Sequence, residues 1–140
     1  MTTDLSLKVT QQISASPERV FDAWLDPQTL TKFITPDPGF AEPDVSNDPR
    51  VGGRFDIIMK ADRDLPHWGI YKEIDRPNRL VFTWVSEFSR EDSVVTLTFA
   101  GKDGGTEVTL VHERFHSEEM RDNHEKGWGA ILVRLQGEFG

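Results

Sequence analysis

What most constrains this chain is the order in which its periodicities run. An alternating apolar segment and two short helical patterns come first, a block of strand-like segments broken by Gly and Pro follows, and one long helical pattern closes the chain. This order predicts an α+β fold, a curved antiparallel sheet of six or seven strands around a long C-terminal helix. Such a shell leaves room for a pocket between sheet and helix.

Leu5, Leu7, Val9 and Ile13 alternate with polar residues, the mark of a strand with one buried face, and Gln11 falls on that same face as a polar group looking inward. Ser16-Pro17-Glu18 and Asp26-Pro27 each place a capping side chain before a proline, which starts two short helices, the second over 27–33 with Leu30 and Phe33 inward. Pro36, Pro38, Pro43 and Pro49 make 35–50 a loop with one short edge strand near 41–45. Strands are expected over 54–60, 67–75, 80–85, 94–99 and 106–112, with turns at 61–66, 76–79 and 101–105. Loops this short imply mostly antiparallel pairing. The last helix starts near Ser117 and carries Met120, His124, Trp128, Ile131 and Leu135 on one face, with Gly127 and Gly129 inside it. Those glycines suit either close approach to a strand or room for a ligand.

By length, residues 1–140 form one domain. The chain has no cysteine, which excludes disulfides, thiolate metal sites and cysteine nucleophiles, and its N-terminus lacks the pattern of a secretory leader. We therefore expect the cytoplasm. A formal net charge of −8 opposes binding to nucleic acid or to an anionic membrane, and no apolar run is long enough to span one.

Strand parity points Phe82 and Trp84, and likewise Val108, Leu110 and His112, toward the helix. With Phe33, Phe40, Trp68 and Trp128 the aromatic residues enclose an apolar body, and Gln11, Arg54, His67, Tyr71, His112 and His124 are its polar candidates. Arg54 has the alternative of facing solvent beside Asp56. The stretch from Pro36 to Pro49 would form the lip. No serine elbow, phosphate loop or dinucleotide fingerprint is present, so no cofactor is expected. His112, Glu113 and His116 straddle a strand end and lack the spacing of a helical zinc site, so no metal is expected. If any reaction occurs here, His112 and Tyr71 are the acid–base candidates.

The run Gly69-Ile70-Tyr71-Lys72-Glu73-Ile74-Asp75-Arg76-Pro77-Asn78-Arg79-Leu80-Val81-Phe82-Thr83-Trp84 resembles the G-x-Y-x-E-I-x-x-P-x-R-L-V-F-T-W segment of the family related to the C-terminal domain of the Hsp90 ATPase activator. Residues 16–24, 51–55 and 106–115 fit as well, and His124-Glu125-Lys126-Gly127-Trp128 is similar to the family's H-x-x-G-W. The family lies within the START/Bet v 1-like (SRPBCC) superfamily. The resemblance implies a helix-grip fold with seven antiparallel strands. It leaves three functions open: a binding protein for a hydrophobic or aromatic small molecule, a cofactor-independent cyclase or dehydratase, and a co-chaperone-like interaction module. A homodimer through a free sheet edge fits any of them.

Overall fold

A computed structural model describes residues 5–139. The elements in chain order are β1 (Leu5–Ile13), α1 (Pro17–Ala23), α2 (Pro27–Phe33), β2 (Ala41–Asn47), β3 (Arg54–Lys60), β4 (Asp64–Asp75), β5 (Arg79–Thr83), β6 (Val85–Ser86), β7 (Val94–Lys102), β8 (Gly105–Phe115) and α3 (Glu118–Gly137). Seven strands pair in the order β1-β8-β7-β5-β4-β3-β2, and the two-residue β6 pairs with β4 off that path. Every pairing is antiparallel. This is the helix-grip arrangement.

The helix starts follow from their caps. Ser16 Oγ accepts the Arg19 amide at 3.4 Å, Asp26 Oδ1 the Gln28 amide at 3.3 Å, and Ser117 Oγ the Met120 amide at 3.1 Å. Each satisfies an N–H that the first turn leaves without a partner. Pro17 and Pro27 then sit where a missing N–H is harmless. Pro43 is tolerated in β2 because β2 is an edge strand and its ladder shifts register there.

Two expectations need correction. The turn expected over 61–66 is shorter: β4 begins at Asp64, which pairs with Lys60, and an ion pair of 3.2 Å joins their side chains. The segment after Thr83 does not run on as one strand. Trp84 interrupts it, and its amide bonds to the Ser93 carbonyl at 3.1 Å, closing a loop over 84–93.

The core lies between the sheet and the helices. Val20, Phe21, Leu30, Phe33 and Ile34 from the small helices pack with Leu80, Val95, Leu97, Val108 and Leu110, and Ile131, Leu132 and Leu135 cover them from α3. Gly69 marks where strands come too close for a side chain: a Cβ there would sit 1.9 Å from the Thr83 carbonyl oxygen and 2.6 Å from Phe55 Cζ. No helix among the described residues is long and apolar enough to cross a membrane.

Candidate functional site

Beside that core, between β3, β4 and α3, the side chains do not meet. A cavity of about 190 Å³ remains. Met59 from β3 and Leu65 and His67 from β4 form one wall. Met120, His124, Gly127, Trp128 and Ile131 from α3 form the facing wall. Trp84, Phe88, Pro36 and Phe40 complete the lining, together with exposed Asn123. The lining holds no Lys, Arg, Asp or Glu. Its aromatic floor is built by Trp84 against Trp128, ring centroids 4.8 Å apart.

Both histidines of the lining are tied to the main chain. His67 Nδ1 lies 2.8 Å from the Leu65 carbonyl oxygen, and His124 Nδ1 lies 2.8 Å from that of Met120. A carbonyl only accepts, so each Nδ1 carries the proton and each neutral ring keeps its lone pair on Nε2. Burial lowers the His67 pKa to about 4, helped by His124 and opposed by the carbonyls of Leu65 and Ile57 and by Glu87. Burial also lowers that of His124, with the Met120 carbonyl opposing.

Of the residues predicted for the site, the structure brings Phe40, His67, Trp84, His124 and Trp128 to this cavity. It places the others elsewhere. Trp68 and Arg54 lie on the outer face of the sheet, the Arg54 guanidinium 4.4 Å from the Trp68 ring centre and 2.9 Å from Asp56. Adjacent strand residues point to opposite faces, so His67 and Trp68 cannot line the same wall. Phe33 is fully buried against Trp24, ring centroids 5.0 Å apart. The Gln11 amide donates to the Gln12 carbonyl, away from the cavity.

Tyr71 and Phe82 border a separate void of about 20 Å³, with Trp84 as the wall it shares with the cavity. The Tyr71 hydroxyl accepts from Asn47 Nδ2 at 3.1 Å, and burial raises its pKa. The indole N–H of Trp24, on the same void, is buried without a partner.

His112 is the largest correction. It is wholly buried behind Trp128, with Nε2 3.1 Å from Ser93 Oγ, and burial followed by the influence of His124 lowers its pKa to about 2. A ring held neutral and sealed from the cavity is a structural link and does not reach a substrate there. Likewise Tyr71 does not open onto the cavity. His116 is exposed, and the described residues include no cluster of three metal-binding side chains.

Sequence reasoning overlooked Met59, Leu65, Phe88, Ser89 and Ser93. Parity would have found the first two, since Met59 continues Phe55 and Ile57, and Leu65 shares the face of His67. Phe88, Ser89 and Ser93 belong to the 84–93 loop, where no period applies.

Residues 14–140 match the model of a family described as activator of Hsp90 ATPase homolog 1-like protein. Among solved structures, a protein from Chromobacterium violaceum is 26% identical, with 96% of each chain covered and a TM-score of 0.84. An AHSA1-like protein from Aeromonas hydrophila is 24% identical, covering 95% of this chain and 90% of its own, at 0.81. The Aha1 dimer from Colwellia psychrerythraea is 14% identical, covering 96% of each chain, at 0.78, a likeness of fold. Among curated proteins no relative matches.

Proposed function

Given that this chain belongs to the family of activator of Hsp90 ATPase homolog 1-like proteins, we propose that it is a binding protein for a small hydrophobic or aromatic molecule, held between the sheet and α3. The observation that carries this reading is the uncharged cavity of about 190 Å³ with Trp84, Trp128, Phe40 and Phe88 in its walls. Its size sets the scale of the ligand. An apolar cavity of roughly 150 Å³ is enough for benzene, and drug-sized ligands occupy sites from about 300 Å³ upward. One ring or a compact pair of rings fits; a sterol does not.

The enzymatic alternative needs a group that exchanges protons near neutral pH within reach of the substrate. Both histidines on the cavity are neutral by burial and have their N–H bonded to a main-chain carbonyl, so neither has a proton free to give to a substrate. The interaction-module alternative needs a broad apolar surface. Of the large hydrophobic side chains exposed among the described residues, Val51 lies in the loop between β2 and β3 and Val133 on α3. We propose the cytoplasm as its location, and a homodimer like that of the Colwellia protein is compatible with the binding reading.

Native mass spectrometry of the purified protein mixed with a metabolite extract tests the proposal. We expect an adduct of a compact, weakly polar ring compound. No adduct across a broad extract and a library of small aromatics would refute it.

A further inference from the structure

We propose that His67 and His124 make the cavity selective for small neutral aromatic molecules that carry a hydrogen-bond donor, phenols foremost, over plain hydrocarbons and over carboxylates. This rests on the binding function proposed above and names the ligand class of that site.

The argument starts from the polar atoms that an otherwise apolar lining contains. Besides Asn123, exposed at the rim, and the indole N–H groups of Trp84 and Trp128, the latter spent on His112, they belong to the two imidazoles, one on β4 and one on α3. Both rings spend their N–H on a main-chain carbonyl, Leu65 for one and Met120 for the other, each at 2.8 Å. What remains for a ligand is the Nε2 lone pair, so the two walls present acceptors. Burial keeps both rings neutral, so they do not turn into cationic donors at ordinary pH.

A hydrocarbon fills the volume and leaves these acceptors without a donor inside an apolar space, which is unfavourable. A carboxylate fares worse. Its oxygens find no donor on either imidazole, and no cation lines the cavity to offset its desolvation. Glu87, which acts on His67, is itself negative, and it pairs with Arg63 at 2.7 Å. A phenol hydroxyl or an aromatic N–H supplies the missing donor, and its ring lies on the Trp84 and Trp128 floor.

The test is a titration of the purified protein near neutral pH with p-cresol, toluene and benzoate, three probes of similar ring size. Tryptophan fluorescence and calorimetry give the affinities. We expect p-cresol to bind about tenfold tighter than toluene, the factor one net hydrogen bond supplies, and benzoate to bind weakest. His67→Phe and His124→Phe should each bring the cresol-to-toluene ratio toward one. Should either variant fail to fold, 15N NMR of the unaltered protein reads the same contact, as a shift of an Nε2 resonance on adding p-cresol but not toluene. Toluene binding as tightly as p-cresol, or benzoate matching it, overturns the donor preference and leaves the container reading standing. Binding of none of the three overturns the donor preference, and the container reading is then decided by the metabolite screen.

Discussion

The indole N–H of Trp128 donates to Nδ1 of His112 at 3.1 Å, joining the long helix to the last strand through two buried side chains. An indole can only donate, so Nδ1 holds the lone pair and Nε2 holds the proton. That proton faces Ser93 Oγ at 3.1 Å, and the Ser93 hydroxyl in turn donates to the Trp84 carbonyl, which also accepts from Ser89 at 2.9 Å. One directional chain thus runs from Trp128 through His112 and Ser93 to the main-chain carbonyl of Trp84, tying the indole of one floor tryptophan to the backbone of the other.

Breaking the first link should be more damaging than the loss of ring volume alone. Trp128→Phe and Trp24→Phe remove similar volume, but Trp128→Phe strands the buried His112 Nδ1 whereas Trp24→Phe deletes an indole N–H that has no partner. An unsatisfied buried polar group costs about 1–3 kcal/mol. Trp128→Phe should therefore be the less stable by roughly 2 kcal/mol in urea unfolding. Equal losses would show that the indole–imidazole bond contributes nothing.

Acid should destabilise the fold through the buried histidines. Their ordinary pKa is 6.5, and in the folded protein it falls to about 4 for His67 and about 2 for His112. Below 6.5 the unfolded chain binds protons that the folded chain refuses, so stability rises with pH there and is lost as pH falls, down to about 4 for His67 and about 2 for His112. Each ring contributes a slope of about 1.4 kcal/mol per pH unit well inside its window. His112→Gln keeps an acceptor for the indole and removes one titration. Denaturation midpoints at pH 7 and pH 5 should then differ less for this variant than for the unaltered protein, and an unchanged difference would contradict the neutral ring.

The two glycines inside α3 should separate stability from binding. Gly127 lines the cavity, and a Cβ there would meet Pro36 Cβ at 3.6 Å, an ordinary contact; one at Gly129 meets nothing within 4 Å. Replacing either by Ala should stabilise the helix by up to about 1 kcal/mol. Only Gly127→Ala puts a methyl group into the cavity, so it alone should weaken binding of a small aromatic such as p-cresol. Thermal unfolding and fluorescence titration of both variants decide it. Similar binding by the two would remove Gly127 from the site.

Gly69→Ala should be far less tolerable. Its new methyl group would collide with the Thr83 carbonyl, which is main chain and cannot swing aside, as well as with the Phe55 ring. Two strands must shift to admit it. A loss of about 3 kcal/mol or more is expected. Circular dichroism on heating would show it, and a melting curve like that of the unaltered protein would contradict the close approach.

Arg54 and Trp68 give the opposite expectation. Their cation–π contact is on the outer face and partly hydrated, a setting worth about 0.5–1 kcal/mol. Arg54→Ala should change stability by no more than that and leave aromatic binding as it was. Lost binding would return Arg54 to the cavity.

Much of this architecture is legible in the residues themselves. Ser16-Pro17, Asp26-Pro27 and Ser117 announce the helix starts, because a capping oxygen answers a local shortage of hydrogen-bond acceptors. Alternation places Phe82, Val108, Leu110 and His112 inward, because the strand period is two. The same rule, applied to β3 and β4, puts Arg54 and Trp68 outside with no coordinates needed.

Burial direction is local information, and the sequence carries it. Whether an inward side chain meets a neighbour or a void is decided by residues far apart in the chain. His112 and His67 both face inward. Trp128, sixteen residues beyond His112, seals that ring and occupies its lone pair, while β3, β4 and α3 fail to close over His67 and leave it on the cavity wall. Only the packed structure sorts two like histidines into a strut and a lining, because packing depends on the volumes of every element at once and a linear pattern records each of them singly.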